Sequence, residues 1–158
     1  MTEVSKLLAL VFSSSFSAGL LVTSMVIVDS WGQMEPAAAV DWFATYGRRL
    51  GLVMAPMGGL AMIFSLIAFI STVRSKDDSK GKLVWLFAST CAVGTMVLLP
   101  LYFVEANTLF FDKTIALTQV PDEVHRWTTW NLVRAGLSIA ATALILIGLV
   151  GRSGPSSR

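Results

Sequence analysis

Four stretches of this chain, about residues 7–28, 50–73, 83–104 and 127–150, are apolar for long enough to cross a bilayer as helices. The hydrocarbon core is about 30 Å thick and takes roughly 20 helical residues to span. Inside it only helices and closed barrels satisfy their own backbone polar groups. The expectation is therefore an all-α fold, a four-helix transmembrane bundle with a polar and aromatic connection on its outer side, taking residues 1–158 as a single membrane domain. Only 14% of residues are charged and 54% are hydrophobic, whereas a soluble domain carries about 25% charge to keep its surface wet. The same apolar runs exclude a disordered chain. A net charge of +2, not gathered on one face, gives no footprint for nucleic acid, so the bilayer is the first partner expected. Cys91 is the single cysteine and lies within an apolar run. It can form no disulfide within the chain and no CxxC motif, and it reads as a small buried hydrophobe.

The first segment carries no charge but holds Ser13, Ser14, Ser15 and Ser17, whose hydroxyls can bond to the preceding turn. A cleaved leader is the competing reading. The run is long for one, and Asp29, Ser30 and Trp31 do not form a small-residue cleavage site. Pro56, Gly58 and Gly59 mark bends or close approaches in the second segment, and Pro100 marks one near the end of the third. The fourth is continuously apolar from Leu132, with a polar and aromatic lead-in from Trp127 that belongs to the same helix. Lys6, the loop RSKDDSKGK, Arg152 and Arg158 fall on one side of the membrane. Arg48, Arg49, Lys113, Arg126 and Arg134 fall on the other, among more acids. Positive charge favours the cytoplasm, so both termini are expected inside, at the plasma membrane.

The inner loop and tail carry no recognisable chemistry. Two outer connections, roughly Asp29 to Arg49 and Glu105 to Arg126, hold most of the aromatic and ionisable groups. In the first, Pro36 can open a helix with Glu35 near its positive end, and AAAVDWFATYGRRL continues it into the second span. Trp31, Trp42 and Tyr46 fit an interfacial aromatic belt, and Arg48 and Arg49 can snorkel to the surface. Gly47 and Gly51 form a GxxxG that permits close helix contact. With Ser15 and Gly19, it would serve contacts between chains in a homo-oligomer or membrane complex as readily as within one. In the second connection, Glu105 and Asn107 appear as the apolar run ends, where polar groups need partners. Asp122, after Pro121, is a cap or first-turn acid for the fourth helix.

Trp127, Asn131 and Arg134 fall at i, i+4 and i+7, which places an indole, an amide and a guanidinium on one helical face. Trp130 and Arg134, four apart, are spaced for a cation to stack on a ring. A guanidinium two turns into an apolar helix needs company, and Glu105, Asp41 and Asp29 are the available acids. Three readings follow for Arg134: a lock that pairs it with an acid inside the bundle, a polar cavity open to the outer side, or plain snorkelling to the surface. His125 is the single histidine, suited to general base chemistry but also common at an exposed helix start. No HExxH, GxSxG, P-loop or dinucleotide fingerprint is present, and no metal site is expected.

The order of spans, the connection from Glu35-Pro36 to WFATYGRRL, Asn107 after the third span and the stretch HRWTTWNLVRAGLSIAA together resemble the anthrone oxygenase-like membrane proteins. The resemblance covers nearly the whole chain on short motifs. The family often has proline where this chain has Ala106, and relatives can carry histidine where it has Asn131. The resemblance implies oxidation of a lipophilic aromatic or quinone-like substrate by O₂, as anthrones are converted to anthraquinones, without flavin or haem and so with no cofactor. It implies His125 or Glu105 as the base and Arg134 with Asn131 holding the enolate oxygen. Tyr46, Asn107, Trp127 and Trp130 would then line the substrate site. Such catalysis expects a cavity of about a few hundred Å³ bounded by Asn107, Trp127, Asn131 and Arg134. The alternatives are a non-catalytic membrane subunit or scaffold, in which an Arg134–acid contact serves assembly, and a small transporter of paired chains, which the absence of an inverted repeat disfavours.

Overall fold

The computed structural model describes residues 2–75 and 79–151, and among them every regular element is helical. Lys76, Asp77, Asp78, Arg152 and Arg158, part of the charge argument for orientation, lie outside the described residues. Four rods, each long and apolar enough to span a membrane, make up the chain: α1 (Glu3–Gly32), α2 (Pro36–Arg74), α3 (Ser79–Phe111) and α4 (Leu117–Val150). These are the helices of an integral membrane protein. They pack in a ring, each against its sequence neighbours, with α4 closing on α1.

The outer connections are not loops. Residues 29–49 and 105–126 are mostly helical extensions of the spans, and only residues 33–35 and 112–116 lie outside helices. The reason is local. Pro36 sits at the start of α2, the following three alanines are strong helix formers, and the 39-residue α2 runs about 58 Å at 1.5 Å per residue. That is nearly twice the bilayer core, so the far end of the bundle, opposite the RSKDDSKGK loop, projects beyond the hydrocarbon. α3 stops at a turn in which the Thr114 N–H bonds the Leu109 carbonyl and the Lys113 N–H that of Phe110. Lys113 takes the left-handed conformation there (φ 55°), where glycine is usual. Its Nζ reaches Asp41 Oδ1 on α2 at 2.6 Å.

Different forces hold the two ends. The projecting end closes on an aromatic core: Trp31 stacks on Phe43 (4.9 Å) and meets the edge of Phe110 (5.0 Å), while Phe103 meets Trp127 (5.3 Å). Water drives that burial. Within the hydrocarbon, small residues and hydroxyls take over, as helix packing there relies on close approach and interhelical hydrogen bonds. Ser17 bonds the Ser13 carbonyl (2.8 Å), and its hydroxyl also meets Ser138 (2.7 Å), while Ser13 meets Thr142 (2.9 Å). Ser13 and Ser17 of the serine stripe thus form a seam against α4, while Ser14 is exposed and bonds the Val11 carbonyl within α1. Gly58 on α2 lets Phe16 and Met96 approach so closely that a Cβ there would lie 2.8 Å from Met96 Sδ. Cys91 is partly rather than fully buried.

Two single-turn wide stretches interrupt the spans at one level, Thr23–Ile27 in α1 and Leu99–Phe103 in α3, the latter containing Pro100. Such π-turns shift the helical phase by one residue and recur at functional sites. Here they flank a cavity.

Candidate functional site

Helical phase builds the site. Trp127, Asn131 and Arg134 share one face of α4, as their spacing requires, and all three are buried. Phe103 and Asn107, four apart on α3, face them. Gly47, Gly51 and Met54 on α2 and Leu20 and Thr23 on α1 complete the wall of a cavity of about 80 Å³. This has room for a few water-sized molecules. It is smaller than the few hundred Å³ expected of a pocket that encloses a whole aromatic substrate. Gly47, Gly51 and Asn107 also line a groove of about 440 Å³ on the outside of the α2–α3 seam, flanked by Arg48, Leu52 and Phe111. Cavity and groove therefore adjoin through the two glycines. A Cβ at Gly47 would lie 3.1 Å from the Phe111 ring, so that glycine lets α3 approach closely, whereas one at Gly51 would meet nothing within 4 Å. Gly51 leaves an opening.

Arg134 is 6% exposed, and its Nε has no hydrogen-bond partner. Among the described residues no carboxylate pairs with it. The expected acids are engaged elsewhere or turned away: Asp41 holds Lys113, Asp29 accepts from Gln33, and Glu105 is exposed. The Arg134–acid lock is thus corrected. The guanidinium carbon instead lies 4.6 Å from the Phe103 ring centre and 5.5 Å from that of Phe16. Trp130 does not stack on it either; that indole packs on Tyr102 at 5.8 Å. Ring faces attract a cation but offer it no counter-charge. The interior therefore keeps a positive charge without a carboxylate partner among the described residues, at the wall of the cavity.

The amides are held in place. Trp127 Nε1 donates to Asn107 Oδ1 (2.9 Å), which leaves the Asn107 amide N–H groups without a partner among the described residues. Asn131 Nδ2 donates to Ser24 Oγ (2.7 Å) and, more weakly, to the Leu20 carbonyl (3.4 Å). Its donors are therefore already spent on the wide turn of α1, and what it contributes to the cavity is position and an acceptor.

Four of the expected site residues come together at the cavity: Asn107, Trp127, Asn131 and Arg134. The other four lie outside it. His125 is exposed and lines a separate recess with Asp29, Gln33 and Thr128. Glu105 points away from the bundle. Tyr46 is 48% exposed and packs on Trp42 at 5.4 Å with the Arg49 guanidinium 6.0 Å from its ring, and Trp130 is 38% exposed. Among the described residues, no three His, Cys, Asp or Glu side chains gather in a way that could hold a metal ion.

The sequence reading missed Phe103, Phe43 and Thr23, which line the cavity. The i, i+4 relation of Phe103 to Asn107 was the available signal. It also passed over Glu123, a buried carboxylate that accepts from the Tyr102 hydroxyl (2.7 Å) and pairs with Arg126 (3.2 Å) on the α3–α4 seam, outside the cavity wall.

A family model described as anthrone oxygenase matches residues 42–144, well over half of the chain. The match takes in every cavity residue contributed by α2, α3 and α4. No curated protein and no solved structure matches the chain.

Proposed function

The chain belongs to the anthrone oxygenase family, and from that premise we propose that it oxidises a lipophilic aromatic substrate of the anthrone or hydroquinone type with O₂ at the Arg134 cavity. One observation carries the reading: a buried guanidinium with no acid, in an aromatic-walled cavity open to the side of the bundle. An anthrone methylene is acidic because its anion is a phenolate. Arg134 and the Asn107 amide donors would hold that oxygen, favouring the electron-rich anion as preorganised donors do. The anion reduces O₂ and forms a C–O bond to it, giving a hydroperoxide. Loss of water from the hydroperoxide leaves the new carbonyl, so that one methylene and one O₂ become one carbonyl and one water. A hydroquinone would instead pass two electrons and two protons to O₂, leaving a quinone and hydrogen peroxide, and neither reaction requires another reductant.

The cavity fits the reacting edge of one ring together with O₂, and the rest of the substrate would lie in the groove between α2 and α3. Trp127 and Phe103 would flank the ring. In this reading the methylene proton leaves to water at the mouth, since His125 and Glu105 stand outside the cavity; the sequence-based assignment of either as the base is open to direct test by substitution. Counting from Val150 at 1.5 Å per residue, Arg134 lies about 24 Å up α4, just inside the far boundary of the hydrocarbon. A substrate dissolved in the bilayer would reach it without crossing water. The charge bias of the loops supports a far end that faces away from the cytoplasm, with both termini inside at the plasma membrane.

The test is oxygen consumption by the purified protein with a panel of anthrones and hydroquinones. The expected result is acceleration over buffer that Arg134→Gln removes while the helical fold persists. No acceleration with any member of the panel would overturn the proposal.

A further inference from the structure

Lys113 is paired with Asp41, Arg126 with Glu123 and, at the opposite end of the bundle, Lys6 with Glu3, whereas Arg134 has no carboxylate partner among the described residues. Arg134 is 6% exposed, lacks a partner at Nε, and lines a cavity whose remaining wall contains no carboxylate. A lone charge in such surroundings is costly unless an opposite charge reaches it.

We propose that the cavity is a binding site for a small monovalent anion of the halide type, which occupies it whenever no substrate is bound. Size permits it: about 80 Å³ admits a halide with a water or two. Chemistry fits as well. The guanidinium and the free Asn107 amide N–H groups are donors, and no lining side chain is acidic. Access is provided at Gly51, beside the groove flanked by Arg48, which has no carboxylate partner among the described residues and sits over Phe111 at 5.0 Å. A second positive charge at the entrance raises the local concentration of anions. One charge inside requires one charge in return, which favours a monovalent ion. The inference does not need the oxygenase reading. If both hold, the anion competes with the substrate's anionic oxygen.

Trp127 lines the cavity and serves as reporter. The full chain, purified in detergent, is titrated with iodide at constant ionic strength made up with gluconate. Collisions with the partly exposed Trp130 give quenching that rises linearly. Occupation of the cavity adds a saturable component at millimolar iodide, which chloride, a poor quencher, displaces. Thermal unfolding in chloride and in gluconate gives a second readout, with a higher midpoint expected in chloride because a ligand that binds only the folded state stabilises it. Arg134→Gln is expected to lose both the saturable quenching and the chloride-dependent rise. Should that variant not fold, Gly51→Leu tests the same point, since its added side chain enters open space at the mouth and should reduce the saturable component severalfold. The proposal is overturned by purely linear quenching with equal midpoints in the two salts, by half-saturation only near molar iodide, or by saturable quenching that survives in both variants. None of these outcomes bears on oxygen consumption in halide-free buffer, so the two proposals fail separately.

Discussion

Replacing Arg134 with methionine should make the protein more stable and less active. A buried ion without a partner costs several kcal/mol even after relaxation. The ring faces of Phe103 and Phe16, 4.6 and 5.5 Å from the guanidinium carbon, offset part of that, at about 1–2 kcal/mol each when desolvated. Methionine is unbranched, fills irregular space and keeps favourable contact with both rings. The balance favours the variant by about 1–3 kcal/mol, the difference between the burial cost and the two ring contacts. The assay is unfolding of the purified protein in mixed micelles by titration with a denaturing detergent, followed by far-UV circular dichroism, in gluconate so that no small anion compensates the wild-type charge. A variant less stable than wild type by more than about 1 kcal/mol, the scale of a lost charged hydrogen bond, would refute the reasoning. It would mean that Arg134 has a counter-charge within the bundle.

Gly51→Leu fills the mouth of the cavity without a clash, and oxygen consumption should fall about tenfold or more while stability stays within the roughly 0.5 kcal/mol typical of surface changes. Trp31→Ala removes the indole at the centre of the aromatic core, 1% exposed and bonded through Nε1 to the Ala39 carbonyl at 2.9 Å; unfolding should show a loss of about 3–5 kcal/mol. His125→Gln alters an exposed side chain in a separate recess, and a steady-state rate with substrate should stay within about twofold, whereas the 10²–10⁴-fold loss typical of a removed general base would return the proton step to His125. Gly58→Leu forces a side chain against Phe16 and Met96, and thermal unfolding should register about 1–3 kcal/mol of overpacking strain.

The four spans were legible because bilayer thickness imposes its length on any helix that crosses it. The shared face of Trp127, Asn131 and Arg134 was legible because helical periodicity needs no tertiary information. The same rule, applied at finer grain, places Glu105 about 200° around α3 from both Phe103 and Asn107, and His125 equally far from Trp127. Chemical suitability had argued for those two residues, and phase argued against them. The extent of the helices was harder to see. Charges and aromatics in residues 29–49 resemble a loop, yet alanines and a well-placed proline sustain a helix through the interface. The partner of Arg134 was not legible at all. The cation meets Phe103, at the end of the wide turn of α3, and Phe16 on α1, and Pro100 is the trace of that turn in the sequence.

The central claim is that Arg134 stabilises the anionic form of an aromatic substrate. An anaerobic spectrophotometric pH titration of a bound anthrone measures this directly, without turnover. A unit charge pair near 4 Å at an effective dielectric constant of about 20 is worth on the order of 4 kcal/mol, equivalent to about three pH units, and partial solvation at the open mouth reduces this to about one to three. The account predicts that wild-type protein lowers the titration midpoint of the bound anthrone by that amount and that Arg134→Met abolishes the shift. An unchanged midpoint in the wild type, or an equal shift in the variant, would contradict it.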